Sequence, residues 1–327
     1  MDAQEEALLS STIAELTASS DGVQLMGALD QFGWLEMLAT DPALAIPAVF
    51  EGQGSAGSWS PALHDVIGSA LRLEPDTVAL IPLPGETYTA VRASALEVRG
   101  LVLGQRPTTT SAVACIGEPD RLPMLIKTSM SELTIESIAG LDPAISASLV
   151  TGSVSGEASG EELGSGLHWE HALADGRWAL AHQLIGMMDT MKMLALTHAL
   201  ERSQFGRQIG SFQAIRHRLA ETQVAIEAAR AAASGAGPMR GRSAHELPDA
   251  TMASMLAKLI AGRSATKVTA HCQQVLAGVG FTSDHPFHRF MKRATVLERI
   301  LGDTGYLTES IGRQVVARRE APRVVNL

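Results

Sequence analysis

The sequence has little cysteine and few aromatic residues, and each shortage narrows the class of protein. Its 327 residues include two cysteines, Cys115 and Cys272, which lie far apart and lack the spacing of metal ligands. We therefore expect two buried thiols in a reducing cytosol and no metal centre. Aromatic residues make up 4% of the chain, while alanine and aliphatic residues dominate, a balance that favours helix.

Basic tails and long apolar runs are also absent. The net charge is −9, which makes nucleic acid a poor candidate partner. No apolar run approaches the roughly 20 residues that cross a bilayer. The acidic start "MDAQEEALLSS" does not resemble a signal peptide. We expect a soluble, cytoplasmic protein with no membrane partner and no nucleic-acid partner.

Local patterns divide the chain into three parts and predict a mainly α fold with a central β domain. Residues 1–75 show helical spacing of apolar residues, and "DPALAIP" places Asp41 before a proline, which is typical of a helix start. Residues 76–169 are short β-rich runs that predict a small barrel or sandwich, ending in a Gly-, Ser- and Glu-rich loop over 151–166. Residues 170–327 predict an antiparallel helical bundle.

One stretch of this C-terminal part combines charge with a chain break. "ERSQFGRQIGSFQAIRHRLAE", residues 201–221, places two arginines around a Gln-Phe-Gly turn between two predicted helices. Arginine at a helix end offers phosphate a planar set of donors, and the free N–H groups of the next helix also favour anions. The pattern predicts an anion site. The alternative for Arg202 and Arg207 is ordinary solvated charge.

The same stretch resembles the signature "R-x-x-FG-x-x-I-x-x-FQ-x-x-x-H-x-LA-(D/E)" of the acyl-CoA dehydrogenase family of flavoproteins. A second match is "QVLAGVGF", residues 274–281, similar to the family's "Q-x-x-GG-x-G-(Y/F)" with Ala277 replacing the first glycine. "DHPFHRFMKRA" resembles the segment that follows. The order of helices, β domain and bundle is also the family's order, here with a shortened N-terminal region. The signature residues are Arg202, Phe205, Gly206, Ile209, Phe212, Gln213, His217, Leu219, Ala220 and Glu221.

The resemblance implies an FAD site that is shared between subunits. In the family, the matching residues contact the pyrophosphate and adenine end of an FAD whose flavin lies in the neighbouring subunit. The alternative for Gln213 and His217 is a solvent-facing or capping role, and for the glycines of "AGVG" a plain helix stop. The cofactor-binding residues implied are Arg202, Gln204, Phe205, Gln213, Gln274, Ala277 and Gly278.

The residues that would carry the chemistry are missing. In the family, a glutamate removes the α-proton of an acyl-CoA thioester while a hydride passes to the flavin. The resemblance implies two places for it, Gly302 in "LGDTGYLTESIGR" and Gly176 in "ADGRWALA", and glycine accepts no proton. Asp303 and Asp175 are weak candidates for the base, since a neighbouring helical position points about 100° away. Their alternative is a capping or solvated role at a helix terminus.

The β domain lacks the family's "T-E-P-x-x-G-S-D" loop and its Trp-x-(T/S) element, and "LIPLPGETYTAVRA" occupies about that place. We hypothesise a non-catalytic subunit of an α2β2 acyl-CoA dehydrogenase, with no catalytic residue of its own. The implied partners are a homologous catalytic chain, an acyl-CoA substrate and an electron-transfer flavoprotein, in β-oxidation that includes steroid side chains. Alternatives are an autonomous dehydrogenase with an unconventional base, an FAD-free scaffold, and an unrelated bundle.

Overall fold

The N-terminal part of the computed structural model consists of five helices. The model describes residues 3–92, 96–104, 108–117, 123–154, 161–238, 242–243 and 246–319. The helices are α1 Ala3–Ser19, α2 Gly22–Phe32, α3 Trp34–Thr40, α4 Pro42–Ala56 and α5 Ala62–Leu71. Asp21 Oδ1 accepts the N–H of Gly22 at 2.9 Å and that of Trp59 at 2.6 Å, which caps α2 and fixes the segment before α5. Asp41 caps α4 as predicted, because Oδ1 accepts the N–H of Leu44 at 3.2 Å.

The central part is a mixed sheet whose strands follow the order β6-β7-β3-β2-β4-β5-β8, with β1 paired to β4. The strands are β1 Thr77–Ala79, β2 Ala90–Arg92, β3 Leu96–Leu103, β4 Ser111–Ile116, β5 Met124–Ser129, β6 Thr134–Ile138, β7 Ala147–Val154 and β8 Glu161–Ser165. Strand β4 lies in the middle and is buried over Ala112–Ile116. The described sheet is open, with β6 at one edge and β8 at the other.

The C-terminal part is a bundle built around one 36-residue helix, α6. A two-stranded hairpin connects α6 to α7, and a 3₁₀ turn, Ala277–Phe281, follows α8. The elements are α6 Gly166–Glu201, β9 Ser203–Gln204, β10 Arg207–Gln208, α7 Gln213–Gly235, α8 Leu247–Leu276, α9 Phe287–Arg299 and α10 Thr304–Arg318.

These elements confirm the fold class, helices before and after a central sheet, and the helix count of the bundle follows the apolar pattern. The loop predicted over 151–166 is wrong in two places: Thr151–Val154 belong to β7 and Glu161–Ser165 form β8. Residues 155–160 lie outside the described part. The polar composition misled because β8 pairs with β5 at the edge of the described sheet, and edge strands commonly carry charged residues. The boundary expected at 169 falls inside α6, and the division into three domains remains a prediction.

The two cysteines are buried free thiols, as expected. Burial raises the pKa of both Cys115 and Cys272, so both stay protonated at neutral pH. One buried ion pair joins the three parts of the chain: Arg293 Nε of α9 donates to Asp142 Oδ2 at 2.6 Å. The same guanidinium donates through Nη1 to the carbonyl of Gly57, which follows α4.

Helices α4 and α6 approach unusually closely because each carries a glycine at the crossing. A Cβ added to Gly54 would lie 2.1 Å from the carbonyl oxygen of Gln183, and one added to Gly186 would lie 2.3 Å from that of Glu51. Both neighbours are backbone atoms of a packed helix, so neither can move alone. This crossing holds the N-terminal helices against the bundle.

We expect Gly186→Ala to lower the free energy of unfolding by about 1–3 kcal/mol, because the new methyl group overpacks the crossing. Gly27→Ala is the matched control. It also lies inside a helix, but nothing lies within 4 Å of its added Cβ. Alanine's higher helix propensity should stabilise this control by up to about 1 kcal/mol. Urea unfolding of the two variants measures both changes, and equal shifts would contradict the close crossing.

Candidate functional site

The predicted anion site is a tight hairpin at the end of α6. Strands β9 and β10 pair Gln204 with Arg207, and the turn residues Phe205 and Gly206 have φ of 55° and 77°. Two successive left-handed residues are what a two-residue hairpin with the sheet's twist requires, and glycine suits the second. The first holds a phenylalanine that is 92% exposed. The hairpin thus presents an aromatic ring to solvent at some cost in backbone strain.

The two arginines of the hairpin are in different situations. The Arg207 guanidinium lies 4.2 Å from the centroid of the Phe212 ring, a cation–π contact, and Phe205 meets the same ring edge-on at 6.2 Å. Arg202 is exposed, and its side chain has no hydrogen bond or ion pair with the described residues. Arg202 is therefore the arginine available to a phosphate, while Arg207 supports the turn.

The second predicted group lies on the turn after α8. Ala277 has φ 51° and ψ −132°, a conformation that favours glycine, and it stands where the family motif has glycine. Its carbonyl accepts from Gln273 Nε2 at 3.0 Å, which fixes the turn. Gln274 is exposed and makes no side-chain hydrogen bond among the described residues. A Cβ on Gly278 would meet nothing within 4 Å, so the space beside the turn is open.

Both groups lie at the same end of the bundle, which we call the clamp end: the hairpin of residues 202–208, the start of α7 and the turn of residues 277–281. Thr269 Oγ1 on α8 donates to Met191 Sδ on α6 at 3.7 Å. His271 Nδ1 on α8 lies 3.2 Å from the carbonyl oxygen of Arg218 on α7. These contacts align the ends of α6 and α8 with the start of α7 to within a few turns.

All the residues proposed for the cofactor are exposed at this clamp end. The side chain of Gln213 lies 2.9 Å from His217 through the two nitrogens, so these two residues engage each other. The exposed set is Arg202, Gln204, Phe205, Gln213, Gln274, Ala277 and Gly278. The arrangement offers one unpaired guanidinium, amide donors and an aromatic face on an open surface. That donor set fits a pyrophosphate with an adjoining flat ring.

The two positions of the absent glutamate are crowded by neighbouring side chains. Gly302 has φ 102°, and an added Cβ would lie 2.8 Å from Tyr306 Cδ1. At Gly176 the added Cβ would lie 2.6 Å from Leu301 Cδ1 and 3.4 Å from Ile67 Cγ1. A larger residue at either position would therefore require these side chains to shift.

The two neighbouring aspartates lie in different surroundings. Asp303 caps α10: Oδ1 accepts the Tyr306 N–H at 2.8 Å, and Oδ2 accepts from Arg299 Nη1 at 3.1 Å. The Tyr306 N–H and then Arg299 hold the pKa of Asp303 below its usual value. Asp175 is buried on α6, with 6% of its surface exposed. The capping role left open for Asp303 is the one observed, and a capped carboxylate of lowered pKa is a poor base.

Sequence reasoning missed the groups that hold the Gly302 loop shut. Arg177 Nε donates to the Leu301 carbonyl at 2.9 Å. Lys258 Nζ donates to the Glu298 carbonyl at 2.9 Å and to that of Gly302 at 3.4 Å. Both cations are buried, and desolvation lowers the pKa of Lys258 to about 8. The sequence signal that could have identified these groups was a lysine, Lys258, within the apolar run "MLAKLIAG".

A further set of hydrogen bonds connects α10 to the β domain. Tyr306 Oη lies 2.9 Å from Thr87 Oγ1, and Trp169 Nε1 donates to the Thr87 carbonyl at 3.4 Å. Trp169 is fully buried on α6. These contacts connect α10 and the start of α6 to the segment "LIPLPGETYTAVRA" that occupies the place of the family's flavin loop.

Comparisons with known proteins agree with the motifs. Residues 165–316 match the model of the acyl-CoA dehydrogenase C-terminal domain. Over 156 residues, 47% of this chain and 37% of the relative, the chain is 31% identical to a probable short/branched chain specific acyl-CoA dehydrogenase of Dictyostelium discoideum. The chain thus spans about a third to two fifths of the length of the first curated relatives it matches, with shares of 37%, 33% and 39%.

Solved structures of similar fold cover nearly the whole chain. One is a variant of the Tcur3481–Tcur3483 steroid ACAD, with TM-score 0.78 and 18% identity over 97% of this chain and 99% of that chain. Another is the ChsE4–ChsE5 complex from Mycobacterium tuberculosis, with TM-score 0.77 and 18% identity over 98% and 99%. Among the described helices, none has both the length and the apolarity to cross a membrane. Within the same residues, no group of three or more His, Cys, Asp or Glu side chains could hold a metal ion.

Proposed function

We propose that this chain is the non-catalytic subunit of an FAD-dependent acyl-CoA dehydrogenase, because residues 165–316 match the model of that family's C-terminal domain. Its role is to complete the FAD site of a homologous catalytic chain. One contrast carries the proposal: the clamp end is exposed and the Arg202 side chain has no hydrogen bond or ion pair with the described residues, whereas an added Cβ at Gly302 or Gly176 would crowd neighbouring side chains. A chain that has residues for the pyrophosphate and adenine of FAD, but lacks those for the flavin and the catalytic base, is suited to completing the FAD site of a neighbouring chain.

The clamp end would hold the pyrophosphate and adenine of the partner's FAD. Arg202 contributes a positive charge and paired N–H donors, Gln204 and Gln274 contribute amide donors, and Phe205 contributes a ring face for the adenine. The open space beside Gly278 lets the turn approach the phosphates. When bound, FAD supplies the acceptor for the substrate's β-hydrogen, and that chemistry belongs to the partner's half of the site.

Exposed apolar side chains at the clamp end support a partner chain there. Leu200 is 53% exposed, Phe205 92% and Phe281 71%, all at the ends of elements that meet at this surface. Clustered exposed apolar residues are typical of an interaction surface. The fold similarity to the ChsE4–ChsE5 complex and to a steroid ACAD supports a homologous partner and a bulky CoA thioester as substrate.

The wider assignments follow from the same reading. We propose an α2β2 assembly in the cytoplasm that acts in β-oxidation, with an electron-transfer flavoprotein as acceptor. An autonomous dehydrogenase based on Asp303 or Asp175 is the second candidate. The capping bonds of Asp303 count against it. An FAD-free scaffold is the third candidate. The exposed Arg202, which has no side-chain partner within the described residues, counts against a scaffold without FAD.

The test is to purify the chain alone and together with a homologous chain that carries the glutamate and the Gly-Ser-Asp loop. We expect the lone chain to be colourless and to leave a dye acceptor unreduced when acyl-CoA is added. The co-purified complex should be yellow and active. A yellow, active lone chain would establish the autonomous reading instead, and a colourless complex would establish the scaffold.

A further inference from the structure

Two histidines, His198 and His285, lie beside the clamp end, and neither was predicted to bind the cofactor. His198 is in the last turn of α6, and its carbonyl accepts the N–H of Arg202 at 2.9 Å. Residues four apart share one face of a helix, so the two side chains lie on the same side of α6. His198 is partly exposed, and its side chain makes no hydrogen bond with another described residue. It is therefore available to an anion that Arg202 attracts.

The loop before α9 lies near the same turn of α6, because α9 runs along α6 in the opposite direction. Beyond the far end of α9, the carbonyl of Leu301 accepts from Arg177 Nε of α6. Near the start of α9, the Phe290 ring would lie 3.0 Å from a Cβ added to Gly57, which caps α4. That end of α4 also accepts a hydrogen bond from Thr190 Oγ1 of α6 at 2.8 Å. The residues before α9 therefore lie beside the last turns of α6.

His285 lies in that loop, between the turn of residues 277–281 and α9. Its Nδ1 accepts the Phe287 N–H at 3.2 Å, and a backbone amide can only donate, so the neutral ring carries its proton on Nε2. Burial lowers the pKa of His198, the charges of His285 and Arg202 lower it further, and Glu201 raises it. The two imidazoles and the arginine are thus within electrostatic reach of one another.

The charged groups around the two imidazoles are mixed, and the acidic ones are exposed. His288 Nδ1 donates to the His285 carbonyl at 2.7 Å, and Arg289 is exposed one turn further along the chain. The acidic neighbours are Glu201 and Asp284, both exposed. Neither forms an ion pair with the two imidazoles within the described part of the chain. An anion at the clamp end therefore meets two imidazoles that no carboxylate there already holds.

We propose that His198 and His285 are further ligands of the FAD pyrophosphate and that they take up protons when it binds. This inference rests on the function proposed above, since it needs the clamp end to hold the partner's FAD. A bound pyrophosphate offsets the charge of Arg202, which otherwise disfavours protonation of a neighbouring imidazole. Each protonated imidazole then adds a charge-assisted hydrogen bond to those of the arginine. The affinity for FAD should therefore rise as the pH falls.

The test is the FAD dissociation constant of the co-purified complex at about pH 5.5 and about pH 8. The two phosphates of FAD keep their charge over this range, so a change in affinity reports on the protein. We expect binding about three- to tenfold tighter at the lower pH, where both imidazoles charge more easily. The double variant His198→Gln, His285→Asn should remove most of this difference. The asparagine keeps an acceptor for the Phe287 N–H.

A variant with a permanent charge separates the charge of the imidazole from its shape. His198→Lys should bind FAD about threefold more tightly than the parent complex at about pH 8 and should show a smaller pH dependence. His168→Gln is the matched control. His168 is exposed at the opposite end of α6, about 45 Å away at 1.5 Å per residue, so its loss should leave the pH profile unchanged.

CoA also carries a pyrophosphate, so a second probe identifies which molecule the histidines serve. Dephospho-CoA has that pyrophosphate without the 3′-phosphate, which titrates in the same pH range. If the double variant alters the pH dependence of dephospho-CoA binding and not that of FAD, the proposal is wrong. An equal pH dependence of FAD binding in the double variant and the parent would overturn this inference alone. A complex without FAD would overturn the proposed function and this inference together.

Discussion

Arg202→Ala should lower the FAD affinity of the co-purified complex about 10- to 100-fold, because a charge-assisted hydrogen bond to phosphate is lost. The side chain is exposed and has no hydrogen bond or ion pair with the part of the chain that the structure describes, so its removal leaves no buried group there unsatisfied. Arg202→Lys keeps the charge but loses the planar set of donors, so its FAD affinity should lie between those of the parent complex and the Arg202→Ala complex. The measurement is FAD bound per complex after dialysis against a series of FAD concentrations.

The matched control is Arg313→Ala. Arg313 is also exposed, on α10, and its ion pair with Glu309 at 3.0 Å lies on the helix surface. Its loss should leave FAD content unchanged. Melting temperatures of both variants should match that of the parent complex, which separates binding from folding. If the two alanine variants retain FAD equally, Arg202 does not contact the cofactor and the clamp assignment is wrong.

Gly302→Glu should give no dehydrogenase activity to this chain, although it restores the carboxylate at the family's position. The backbone of a glutamate at position 302 would have to keep φ 102°, and its Cβ would lie 2.8 Å from Tyr306 Cδ1. Left-handed strain and overpacking together should lower the free energy of unfolding by about 2–4 kcal/mol. The Tyr306–Thr87 contact resists the movement that would relieve the clash.

Two control variants make that result interpretable. Gly302→Ala carries the strain without the carboxylate, and Gly312→Glu puts a glutamate on the exposed face of α10, where nothing lies within 4 Å. Activity is measured as acyl-CoA-dependent dye reduction by the lone chain with added FAD. Unfolding is measured in urea. If Gly302→Glu alone becomes active, then position 302 can accommodate a working glutamate and only the base was missing. That result would contradict the crowding inferred around Gly302.

The hairpin and the turn after α8 were predictable because each motif is a contiguous string whose backbone needs are local. Phe205–Gly206 requires left-handed residues whatever surrounds it, and the ends of amphipathic helices follow from their periodicity. The substitution at Ala277 was visible as well. What the sequence did not disclose is that this alanine keeps a glycine-like conformation, held by Gln273.

The crowding around Gly302 and Gly176 was not predictable, because it depends on contacts between distant parts of the chain. Arg177 meets the Leu301 carbonyl across 124 residues, and Tyr306 meets Thr87 across 219. No local pattern marks these pairs. The sequence showed only that Gly302 and Gly176 lack a carboxylate, and the three-dimensional packing adds that a Cβ at either position would crowd neighbouring side chains.

The number of FAD molecules per heterodimer tests the central claim most directly. The complex with the homologous catalytic chain should be purified to constant absorbance ratio, and its flavin and protein content quantified independently. We predict one FAD per heterodimer, held by the partner and completed by the clamp end of this chain. Two FAD per heterodimer, or one FAD bound to this chain in isolation, would contradict the account.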